Sequence, residues 1–140
     1  MFKLIKIENA RMNVPEPVFH EVKDSEAVVM GEALVLTSGK LTKCGATAVP
    51  EFIAMADCAA DATNRLIPAA RVEPNQLYEV PVQAAPTSLV EGSKVTLHTD
   101  GLQVTATTTG GVVTVESLNG AAAAGDILVV RISGVASAEK

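Results

Sequence analysis

Residues 31–56 read GEALVLTSGKLTKCGATAVPEFIAMA, and their alternation decides the fold class. Leu34 and Leu36 lie two apart, Ser38-Gly39 supplies a turn, and Leu41 resumes on the far side. After Val49-Pro50, the run Phe52-Ile53-Ala54-Met55 is apolar and too short for an independent helix. The stretch therefore reads as strand, tight turn, strand, loop and strand. It is a β-meander whose residues carry no catalytic chemistry.

Working outward, composition points the same way. A chain of 140 residues suits one compact domain or two small lobes and can bury a core without metal or disulfide staples. With 48% hydrophobic and 19% charged residues it is no disordered chain, and abundant Val and Thr with no Trp favour strands. Aromatics make up only 3%, so there are few ring platforms for bases or sugars. The net charge of -5 has the wrong sign for neutralising phosphates. No nucleic acid and no sugar is the expectation.

Towards the amino end, Phe2–Ile7 alternates well enough for a first strand, and Glu8, Asn9 and Arg11 interrupt any apolar run of signal-peptide length. No segment approaches transmembrane length, so no membrane partner and synthesis in a cytoplasm are expected. Cys44 and Cys58 then read as free thiols. Strand geometry adds to this, because their placement around the meander separates them by about 20 Å, beyond disulfide reach. Residues 8–24 carry Pro15 and Pro17 with few apolar repeats, so residues 1–24 read as an extended arm suited to a partner surface. Ala27–Met30 reads as a short strand leading into the meander.

Beyond Met55, residues 56–64 suit a loop or a single helical turn. Arg65–Val72 is a strand whose Pro68 suggests a sheet edge or a bulge, and Leu77–Val82 is another. Residues 25–83 thus form a first β lobe and residues 84–88 a hinge. In residues 89–134, Val95 and Leu97 alternate with Thr96 and His98, Asp100-Gly101 is a hairpin signal, and Leu102, Val104 and Ala106 alternate again. Val113 and Val115 follow the Gly110-Gly111 turn. Ile127–Ile132 is nearly continuous in apolar character, which predicts burial on both faces or closure of a small barrel-like lobe. Residues 135–140 read as a flexible tail.

Candidate chemistry is sparse. His20, His98, Cys44 and Cys58 are the only soft metal ligands, and their spacing fits no zinc motif. A metal site is expected only if a threefold assembly presents one His or Cys three times at its axis. No GxSxG elbow and no GxxxxGK loop occurs, and Asp100 beside His98 reads as the turn after a strand. The expectation is no catalytic residue, no cofactor and no enzyme activity.

Three segments carry a family resemblance: Gly31–Leu36, Gly39–Cys44 and Pro50–Met55, a "GEAL-x-L-x-x-GKLTK … PEFIA" pattern. This pattern resembles the head decoration (capsid cement) proteins of tailed bacteriophages. Arg71-Val72 with Leu77–Val80 is similar to the strand pair that closes the first lobe in that family. Residues 27–82 carry most of the likeness, and Cys44 and Cys58 depart from the pattern. The resemblance implies a virion protein, made in the host cytoplasm, that binds the outside of an expanded head. It also implies a homotrimer that bridges major capsid protein subunits. Two other classes fit the residues less well: a glycan- or host-surface-binding module using Thr105, Thr107, Thr108 and Thr109, and a metal-dependent enzyme at an oligomer interface.

Overall fold

A computed structural model describes residues 1–10 and 14–133. Among them there is no helix, and ten strands build two sheets, so the chain is all-β with two lobes. The strands are β1 (Lys3–Ile7), β2 (Pro17–Val22), β3 (Ala33–Thr37), β4 (Lys40–Lys43), β5 (Phe52–Ala54), β6 (Leu66–Arg71), β7 (Gln76–Pro81), β8 (Lys94–Val95), β9 (Val113–Ser117) and β10 (Ile127–Ile132). One sheet is open, in the order β1-β7-β10-β9-β8. The other closes into a barrel in the order β2-β4-β3-β5-β6.

The hairpin at the centre of the sequence forms as its residues dictate. Thr37 pairs with Lys40 across Ser38 (φ 51°) and Gly39 (φ 78°), both in the left-handed conformation of a tight two-residue turn. The third strand differs from a meander: β5 pairs with β3, on the side of β3 away from β4. The loop from Cys44 to Glu51 makes this crossing possible, and it leaves β4 free to take β2 as a parallel neighbour.

Several expectations change with the topology. The extended arm expected over residues 1–24 is not found in its described parts, 1–10 and 14–24, because β1 belongs to the open sheet and β2 to the barrel. In β2 the side chains of Val18, His20 and Val22 turn inward and those of Pro17, Phe19 and Glu21 outward. Residues 27–30 form no strand; Val28 makes a single bridge to Cys58. The lobes are also assembled differently from the boundaries at 25–83 and 89–134. The first lobe is the one that closes, and the second is completed by β1 and β7.

Strand β10 is central in the open sheet and buries one face only, through Leu128, Val130 and Ile132. Neither Leu97 nor Val104 extends into a strand. The two bridge each other, Val104 also bridges Val82, and the Leu97 amide donates to the Ala46 carbonyl of the barrel's crossing loop. Pro68 sits in a strand paired on both sides, not at an edge. Its carbonyl accepts from the Met55 amide, one residue past the end of β5, so the side lacking an N–H faces the point where pairing ceases.

Two apolar cores result. The barrel is filled by Val22, Leu34, Leu41, Phe52, Ile67 and Ala69, with Val28 and Cys58 at one end. Against the open sheet pack Phe2, Tyr78, Val80, Val113, Leu128 and Val130, together with Ala33 and Ile53 from the outer wall of the barrel. The second core is thus also the joint between the lobes. Fully burying side chains of this size stabilises by about 1.5–3 kcal/mol each, and Phe2 meets Tyr78 edge-on at 6.0 Å between ring centres.

Candidate functional site

The four candidate metal ligands are kept apart. Cys44 lies in the core of the open sheet and Cys58 in the barrel core, and both thiols are free. Cys44 donates through Sγ to the Ala48 carbonyl at 3.2 Å, and burial, aided by Glu51, pushes its pKa up to about 11. His20 faces into the barrel with its ring 5.1 Å from that of Phe52, whose other neighbour is the Arg71 guanidinium at 5.0 Å. His98 lies 3.3 Å from Asp100. Among the described residues no three His, Cys, Asp or Glu side chains come together as a metal site.

Asp100 is a turn residue. Its carboxylate accepts from the Leu102 amide and from Gln103 Nε2, both at 2.8 Å. Burial works against its charge, but these bonds and His98 hold the carboxyl below its usual range. The threonine stretch gives no flat ladder face: Thr105 Oγ1 bonds Thr96 Oγ1 at 2.7 Å and accepts from the Thr107 amide. The hydroxyl that would line such a face is spent on shaping its own loop.

The buried acid Glu32 was not singled out by sequence reasoning. It is 2% exposed and lies where the lobes meet: the Ala33 amide donates to the Gly101 carbonyl, and a Cβ on Gly101 would sit 2.9 Å from Glu32 Cγ. Its Oε1 accepts from the Val29 amide at 3.2 Å, while Oε2 has no hydrogen bond among the described residues and forms an ion pair with Lys43 Nζ at 3.5 Å. Burial pushes its pKa up, only partly opposed by the Val29 amide and Lys43. Its only sequence signal is its place inside an apolar strand entry.

The feature with most reach is the outer wall of the barrel. Strand register arranges two apolar rows there: Pro17, Ala70 and Ile53, then Phe19, Pro68 and Met55. The first row dips under the open sheet, where Ile53 and Ala70 are buried. The second stays outside, with Phe19 58% and its neighbour Leu66 51% exposed. Beside it, Met30, Met55 and Met1 line an apolar groove of about 290 Å³ between the lobes. Val90, on the other lobe, is a single exposed apolar side chain of the ordinary kind.

No helix among the described residues is long and apolar enough to cross a membrane. No family model matches the chain, and no curated protein matches it.

Proposed function

We propose that this chain is a structural, non-enzymatic virion protein that binds the outer surface of an expanded phage head and bridges major capsid protein subunits as a homotrimer. The observation that carries this reading is the contiguous apolar surface of Phe19, Leu66, Pro68, Met55 and Met30 on an acidic all-β protein. Apolar side chains exposed together, rather than singly, mark protein-binding surfaces. The resemblance of Gly31–Met55 to head decoration proteins supplies the kind of partner. In this structure that segment is scaffold, since it forms β3, β4 and β5 and presents the wall.

The test is co-sedimentation of the purified protein with expanded heads that lack it, with unexpanded proheads as the control. Saturable binding to expanded heads alone is expected, with sedimentation equilibrium giving three times the mass of one chain. Absence of binding to expanded heads would overturn the reading. Removing residues through Val22 is not a usable test, because it takes one strand from each sheet.

A further inference from the structure

We infer that Met1, Met30 and Met55 form a thioether site for a soft monovalent cation, Cu(I) or its heavier congener Ag(I), in the groove between the lobes. The site needs no capsid partner and is independent of the capsid-binding reading.

Three short segments meet at this groove. The Phe2 amide donates to the Gly31 carbonyl at 2.9 Å, and the Gly31 amide donates to the Ala54 carbonyl at 2.8 Å. Each of these linked residues has a methionine beside it in the chain: Met1 before Phe2, Met30 before Gly31 and Met55 after Ala54. The chain has four methionines, and three of them line this one groove of about 290 Å³. Gly31 sets the approach, since a Cβ there would lie 2.4 Å from Met1 Cβ and 3.1 Å from Met1 Sδ. The Met1 side chain thus lies over a residue with no side chain of its own, next to Met30. Met1 and Met30 are half exposed and Met55 is partly buried, and such unbranched side chains can swing their sulfurs onto an ion without moving the backbone.

The donor set selects the ion. Of the side chains lining the groove, only the three thioethers and the Tyr78 hydroxyl bring lone pairs, and that hydroxyl is bonded to the buried Gln76. Thioethers are soft, neutral donors that favour Cu(I), whereas Zn(II) asks for thiolate or imidazole and Mg(II) and Ca(II) for oxygen. Neutral donors leave the charge of the ion uncompensated, and Asp57 supplies a counter-charge. It is exposed two residues beyond Met55, and its Oδ1 accepts from the Met30 amide at 2.7 Å, which fixes a carboxylate beside the groove. The Lys3 ammonium, also on the groove, favours an ion of low charge. Leucine would line a purely apolar groove as well as methionine does; a soft cation is a ligand that tells sulfur from carbon.

The experiment titrates the whole protein, with isotope-labelled methionine methyl groups, with silver nitrate in chloride-free buffer while the methyl resonances are followed, and repeats the titration with zinc. Met30→Leu and Met55→Leu remove the sulfur while keeping size and apolar character, and thermal melts verify that each folds. Expected is a joint shift of the Met1, Met30 and Met55 methyl signals that saturates at one equivalent of silver and is absent with zinc. Each leucine variant should weaken silver binding by about tenfold or more, since losing even an outer-shell partner of a metal site costs about 10–100-fold. Silver taken up with no methionine shift would assign the ion to Cys44 and Cys58 and overturn the site. Methyl signals that titrate with separate midpoints would overturn a shared ion. Leucine variants that bind silver like wild type, or an equal response to zinc, would likewise overturn the inference.

Discussion

Replacing Arg65 by methionine keeps the length of the side chain and removes a guanidinium that draws three segments together. Its nitrogens donate to the carbonyls of Val22, Lys23, Glu26, Ala59 and Ala60, closing one end of the barrel around the Val28–Cys58 bridge. The bonds to Lys23, Ala59 and Ala60 are exposed, and water can replace them. The bonds to Val22, at 3.3 Å, and to Glu26 are partly buried, and a hydrogen bond to a charged group contributes about 1.5–3 kcal/mol. Taking the lower end for both bonds, the loss comes to about 3 kcal/mol, a large share of the roughly 5–15 kcal/mol of an ordinary domain. With a urea slope of about 2 kcal/mol/M, the unfolding midpoint should fall by roughly 1.5 M. Arg65→Lys, which keeps the charge but not the planar fork, should recover at most about half of this. Limited proteolysis of the methionine variant should cut first between residues 56 and 64. A midpoint shift below about 0.5 M, or equal behaviour of the lysine and methionine variants, would refute the idea that the fork closes the barrel end.

Three further outcomes are expected. Because burial raises the Glu32 pKa above its ordinary 4.5, its ionised form is disfavoured in the fold. Stability from this group is therefore fully present below 4.5 and lost as pH rises through the higher folded value, so urea melts across that range should slope downward in wild type relative to Glu32→Gln. Parallel profiles would refute this. A Cβ on Gly111 would lie 2.4 Å from the Lys94 carbonyl carbon and 2.6 Å from the Val95 nitrogen, so Gly111→Ala should push β8 off β9 and cost about 2–4 kcal/mol by thermal melt. The control is Gly92→Ala, which meets open space and carries only the strain of φ 93°, about 1–2 kcal/mol. Lastly, native protein at pH 8 should leave Cys44 unreacted with a thiol reagent and label it on unfolding, since the thiol is buried and its pKa is pushed up to about 11; prompt labelling of the folded protein at Cys44 would contradict the burial.

What the sequence makes legible is local. The Ser38-Gly39 hairpin and strands β6, β7, β9 and β10 follow from alternation and turn residues a few positions apart. Strand β2 hides because Pro17 opens it and His20 occupies an inward position, breaking the apolar period between Val18 and Val22. Barrel closure is not local: it depends on a parallel pairing of β2 with β4, about twenty residues apart, that no turn signal announces. The stretch around Leu97 and Val104 alternates like a hairpin, but its backbone bonds are shared among three partners, so the ladder stops at one bridge. The exposed wall is readable only once the register of β2 with β6 is known, since Phe19 and Leu66 sit in strands that otherwise bury apolar side chains. Glu32 is invisible for the opposite reason, because nothing in an acidic residue at a strand entry foretells its burial.

The barrel strands β2 to β6 follow one another in the chain, but the open sheet is split, taking β1 from before the barrel and β7 to β10 from after it. A break within residues 84–88 would leave a carboxyl-terminal piece holding β8, β9 and β10, three of the five strands its sheet needs. The complementary piece would keep a whole barrel with β1 and β7 still attached, their pairing to β10 unmet. Such a molecule can be nicked without coming apart, and its halves can find each other again through an unsatisfied sheet edge. The open sheet, with strands on both sides of the barrel segment, is completed only when the two pieces meet.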